Sequence, residues 1–69
     1  MKAEMSEKYK RLQDRLAELS ALNGNIARMA FYINENQPEG EGKNAMLRQL
    51  AAMNEYRDEL QRRISNGWY

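Results

Sequence analysis

Leu47-Arg48-Gln49-Leu50-Ala51-Ala52-Met53-Asn54-Glu55-Tyr56-Arg57-Asp58-Glu59-Leu60-Gln61-Arg62-Arg63-Ile64 is the stretch whose reading decides the fold. Starting just upstream at Met46, its apolar positions step through Leu50, Met53, Leu60 and Ile64, which places them on one stripe of a helix. Between Met53 and Leu60 that stripe holds Arg57, a cation in an apolar seam.

Upstream, Met5, Tyr9, Leu12, Leu16 and Leu19 recur at spacings of four, three, four and three, the seam of a helix that packs on another. Extending the count predicts Asn23, Ile26, Ala30 and Ile33 as the next seam residues. The first helix therefore carries its own polar interruption, Asn23, followed at once by Gly24 and Asn25. Glycine inside a helix costs roughly 1 kcal/mol relative to alanine. The apolar phase survives across it, however, which predicts one continuous helix over about residues 3–35, with Ser6 a candidate N-cap.

Pro38 disfavours helical geometry at Gln37, and Gly40 and Gly42 follow between Glu39 and Glu41, so residues 36–43 read as a turn. The second helix then spans about residues 44–65, with Asn44 or Gly42 at its N-cap and Asn66-Gly67 as a left-handed stop. Two helices joined by one short turn make an antiparallel hairpin, a single domain over residues 1–69.

Composition supports the all-α class. Val and Thr are absent, Ile26, Ile33 and Ile64 are the only β-branched residues, and helix formers dominate outside the turn. At 69 residues the core is thin, and with no Cys and no His neither disulfides nor the usual zinc ligands supplement it. Self-association into a helical homo-oligomer is the expected source of further burial. The formal net charge of +1, from 11 basic and 10 acidic residues, is not the footprint of a protein that grips long nucleic acid. No apolar run approaches the ~18 residues of a membrane span, and Met1-Lys2-Ala3-Glu4-Met5 lacks the apolar core of a signal peptide. A cytoplasmic protein is expected.

With the turn centred near residue 39 or 40, facing residues have numbers summing to about 79. Ile33 then faces Met46, Met29 faces Leu50, Ile26 faces Met53 and Leu19 faces Leu60, all apolar pairs, while Leu16 lies near Ile64. The same rule sets Asn23 and Leu22 against Arg57 and Tyr56, bringing the two polar interruptions into one layer. Two roles fit that layer. One is a register device, a polar contact that penalises slipped pairings. The other is a ligand site in which Asn23 and Asn25 offer amides, Arg57 reads an anion and Tyr56 supplies a stacking ring. Trp68 and Tyr69 either cap the open end, with Trp68 near Leu12 and Arg11, or add further rings to such a site.

Gly24, Ala27, Phe31, Tyr32, Leu47 and Ala51 lie off the main seam and are the expected subunit contact, because one hairpin cannot cover two faces of a helix. Catalysis is not expected: without His or Cys the usual nucleophile and base pairs are missing. Ser6, Ser20 and Ser65 have no base at a useful spacing, and Glu55, Asp58 and Glu59 sit on the outer side of the second helix. No metal site and no cofactor are expected.

Leu47, Gln49, Leu50, Ala52-Met53, Tyr56, Leu60 and Arg63-Ile64 resemble the C-terminal motif of a family of small bacteriophage helical-hairpin proteins first named from a crAss-like phage. Glu7, Tyr9, Leu12, Arg15 and Leu19 are similar to that family's opening helix, so the resemblance covers most of residues 6–65. Asn23-Gly24-Asn25 and Arg57 depart from its pattern, at the same polar layer. The resemblance implies an accessory phage protein made in the cytoplasm of an infected bacterium. In size and in its need to oligomerise, the chain is similar at the level of class to phage sponge proteins, which sequester nucleotide signals of antiviral defence. The function expected is therefore binding of a small anionic nucleotide without chemistry. The alternatives are a module that docks on a host protein through Phe31, Tyr32 and Leu47 or through the Trp68-Tyr69 end, and an assembly element of a phage complex.

Overall fold

The computed structural model describes the backbone of residues 2–69 and the side chains of residues 7–69. Helix α1 (Lys2–Asn36) runs out and helix α2 (Gly40–Ser65) returns against it, with no strand among the described residues. The extents are 56 × 16 × 14 Å. At 1.5 Å per residue α1 alone spans roughly 52 Å, so the molecule is as long as its first helix. Backbone helix already passes through Ser6. The seam side chain of Met5 and the capping side chain of Ser6 lie outside the described residues. Asn23-Gly24-Asn25 does not break α1, as the unbroken apolar phase predicts. None of the described helices is long and apolar enough to cross a membrane.

The turn is shorter than the spacing predicts: Gln37, Pro38 and Glu39 alone connect the helices. Gln37 adopts a left-handed backbone (φ 44°), and its N–H donates to the Ile33 carbonyl at 3.0 Å, closing α1 with a single αL bond. Glycine usually fills that place, since a side chain there costs about 1–2 kcal/mol. Gly40, at φ 62°, then carries the chain straight into α2. Neither Asn44 nor Gly42 is the N-cap; Glu39 is, in extended backbone and with no side-chain hydrogen bond. The two glycines look like breakers in sequence, but a three-residue return needs the first, and the second only weakens the helical turn that contains it.

In α2 the predicted seam residues Met46, Leu50, Met53, Arg57, Leu60 and Ile64 are all buried or half-buried, and Asn54 and Arg63 beside the seam are half-buried too. In α1 the seam is corrected. Leu12, Leu19, Ile26 and Ile33 face inward, but the intervening places belong to Arg15, Leu22 and Met29, and Leu16, Asn23 and Ala30 are exposed. After each of Leu12, Leu19 and Ile26, the next inward position lies either three or four residues on, and one seam must take the same choice throughout. Leu22 and Met29 remove far more apolar surface than Asn23 and Ala30, which outweighs the exposure of Leu16. Among the described side chains only Leu22, at 8% exposure, and Leu60, at 0%, are buried, the latter completely.

The far end is a Schellman stop. Gly67 (φ 73°) reverses the chain, the Trp68 N–H donates to the Arg63 carbonyl at 2.7 Å and the Gly67 N–H to the Ile64 carbonyl at 3.2 Å. The Asn66-Gly67 signal is read correctly from sequence.

Candidate functional site

The corrected phase of α1 separates the residues of the expected polar layer. Leu22, not Asn23, occupies the buried seam position, and Asn23 faces solvent. Asn25 is exposed too, its Oδ1 accepting from Arg28 Nη2 on its own helix. On α2, Arg57 does lie in the seam, with its side chain 31% exposed, and both Nε and Nη2 donate to Asp58 Oδ1, at 3.2 and 3.1 Å. Tyr56 is exposed beside it. The four residues therefore do not converge on a pocket within one chain, and each amide or guanidinium that is bonded is bonded locally.

Gly24 likewise makes no close approach across the hairpin. A Cβ built there meets only the Arg28 side chain, at 3.5 Å, an ordinary contact.

A second cation in the seam, Arg15, escapes a reading that follows apolar residues alone. It is half-buried, with its Nε 3.0 Å from Glu18 Oε1. That atom makes no hydrogen bond of acceptable geometry, so the approach is an ion pair only. The signal that reveals Arg15 is its place three residues after Leu12, in line with Leu22 and Met29.

Trp68 packs on its own helix end: the Arg62 guanidinium carbon is 5.9 Å from its ring centroid, and Arg63 Nε donates to the Trp68 carbonyl at 3.2 Å. A cation–π pair at this exposure is worth about 0.5–1 kcal/mol. Tyr69 is half-buried.

Surface depressions are shallow, and two stand out among the described residues. One, of about 300 Å³, sits under the turn and is lined by Ile33, Asn34, Gln37, Pro38, Glu39 and Lys43. The other lies open on the outer face of α2 between Glu55, Tyr56, Asp58, Glu59 and Arg62. Its three carboxylates outnumber its one guanidinium, which is already 2.9 Å from Glu59. That field repels a phosphate. No group of three His, Cys, Asp or Glu among the described residues is arranged to hold a metal ion.

Of the expected subunit contacts, Phe31, Tyr32 and Leu47 are large exposed apolar residues, and Ala27 and Ala51 are exposed beside them. Tyr9, Leu16, Tyr56 and Trp68 join that exposed set. What the arrangement offers chemically is uncovered apolar surface on a narrow rod. No family model, curated protein or solved structure matches the chain.

Proposed function

We propose that this chain works by association, as a non-catalytic helical binding protein whose working form is an oligomer. One observation carries the reading: among the described side chains two are buried while seven large apolar ones, from Tyr9 to Trp68, are exposed. A rod of this kind is the partly covered half of something larger, since exposed apolar patches mark places where another surface docks. Melting followed by circular dichroism tests it. The midpoint is expected to rise with protein concentration, as it must when only the associated state is well covered. A midpoint that stays fixed from low to high micromolar, in a chain that recovers no partner, sinks the reading.

Capture of an anionic nucleotide is the second reading, to which the resemblance to small phage proteins also leads. Arg57 favours it: a half-buried guanidinium in an apolar seam, held only by the exposed Asp58 of its own helix, is a cation that a better anion can take over. Titration calorimetry against cyclic di- and trinucleotides and cyclic ADP-ribose isomers is expected to give heat that Arg57→Leu abolishes. Absence of heat from every member of the panel removes this reading and leaves the first standing. An accessory role in an infected bacterium, through a host protein or a phage assembly, is the biological setting we attach to either.

A further inference from the structure

The two long sides of the hairpin differ in charge. In the heptad frame set by the seam, Leu16, Asn23, Ala27 and Ala30 of α1 lie on the same side as Leu47 and Ala51 of α2, because like flanks meet in an antiparallel pair. All six are exposed. Among the described side chains the charge that intrudes on this side is Asp58, and Arg57 pairs with it at 3.1 Å. The opposite side carries Arg11, Asp14, Glu18, Arg28, Glu35 and Glu59. In a chain that is 30% charged, so uneven a division of charge is informative.

Area points the same way. The chain exposes 5435 Å², whereas a compact monomer of its mass exposes ~4500 Å². The excess is roughly 900 Å², close to the ~800 Å² that each partner gives up in a standard stable interface.

We infer that the uncharged side is covered by the same side of a second copy, two hairpins closing into an antiparallel four-helix bundle. This rests on the association reading above and names its partner and its face. A two-fold axis sets each residue near its own counterpart or a symmetry-related neighbour, so a self-pairing surface must be free of unmatched charge, and among the described side chains this one is. Ala27, Ala30 and Ala51 let the helices approach, Leu16 and Leu47 fill the space between them, and the Asn23 amide, both donor and acceptor, pairs with an amide opposite. Helices that serve a bundle core carry apolar residues on the seam and on one flank beside it; here Leu16, Ala30 and Leu47 supply that flank, interspersed with uncharged polar residues such as Asn23, Asn54 and Gln61.

Sedimentation equilibrium of the full chain is expected to give twice 8.1 kDa. Ala27→Glu combined with Ala51→Glu is expected to weaken the dimer at least about a hundredfold, since like charges then face each other without counterions. Ala21→Glu combined with Ala52→Glu, on the charged side, is expected to leave it within about twofold. If the first pair does not fold, Ala27→Cys in this cysteine-free chain is expected to cross-link to itself through a short bis-maleimide, and Ala21→Cys is not. A wild-type chain that stays monomeric throughout overturns the inference while leaving association with a different partner intact. A dimer that survives the Ala27/Ala51 pair, or that cross-links through Ala21 instead, shows that association is right and the face is wrong.

Discussion

The half of the hairpin nearest the turn has an entirely apolar seam, Ile26, Met29 and Ile33 against Met46, Leu50 and Met53, yet none of these side chains is fully buried. The half nearest the open end has two arginines in its seam, Arg15 and Arg57, and holds both residues that are buried among the described side chains, Leu22 and Leu60. In a two-helix rod, burial follows what lies over the seam more than what lies in it. Both arginine side chains are half-buried in the seam, paired with Glu18 and Asp58, and a long stem of this kind can cover apolar surface that a shorter side chain leaves open. At the turn end the seam is flanked by residues such as Ala30, too short to cover anything.

Removing the deepest side chain should break this contrast most visibly. Leu60→Ala is expected to destabilise by about 2–5 kcal/mol, and Met53→Ala, half-buried one heptad away, by markedly less; urea denaturation of the two variants checks it. Equal losses would mean the halves are covered alike. Next in size is Arg57. If its stem matters and its charge does not, Arg57→Met holds or raises the melting temperature while Arg57→Ala lowers stability by about 1 kcal/mol, and a loss on Arg57→Met as large as that on Arg57→Ala would assign the work to the charge. Gly24→Ala is expected to stabilise by up to about 1 kcal/mol, because the added methyl meets only Arg28; a decrease in thermal midpoint would place a partner's backbone against that glycine. The smallest effect is at the turn. Gln37→Gly relieves a left-handed glutamine and should add about 0.5 kcal/mol, the relief being partly offset by the greater freedom of the unfolded chain, which differential scanning calorimetry can resolve.

Helix α2 was legible from sequence down to its seam and its stop, since every seam position from Met46 to Ile64 but Arg57 is apolar and Asn66-Gly67 is an unambiguous ending. Helix α1 was legible in extent but not in phase. Leu12, Leu19, Ile26 and Ile33 are common to two stripes one position apart, and the first heptad offers Leu16 to the stripe that the fold rejects. The choice is made by Leu22 and Met29 packing against a second helix, information that no single-helix pattern holds. The same one-position change dissolved the polar layer: Asn23 and Arg57 are close in the summed numbering but point to different surroundings. The turn was overestimated because Gly40 signals a break in sequence while serving here as the first residue of α2. The uncharged side went unread because apolar residues were followed along the chain and the distribution of charge around the helices was not.

Trp68 is the chain's single tryptophan, and it sits past the Schellman reversal, largely exposed and beside Arg62. Its fluorescence is therefore a local reporter of the last turn of α2. Quenching by iodide and the red edge of its emission will follow fraying of that terminus, whereas ellipticity at the helical wavelength follows the whole rod. Two unfolding curves recorded on one sample should then fail to superimpose, with the optical probe moving first, and that separation measures how far the stacked cap opens before the hairpin does.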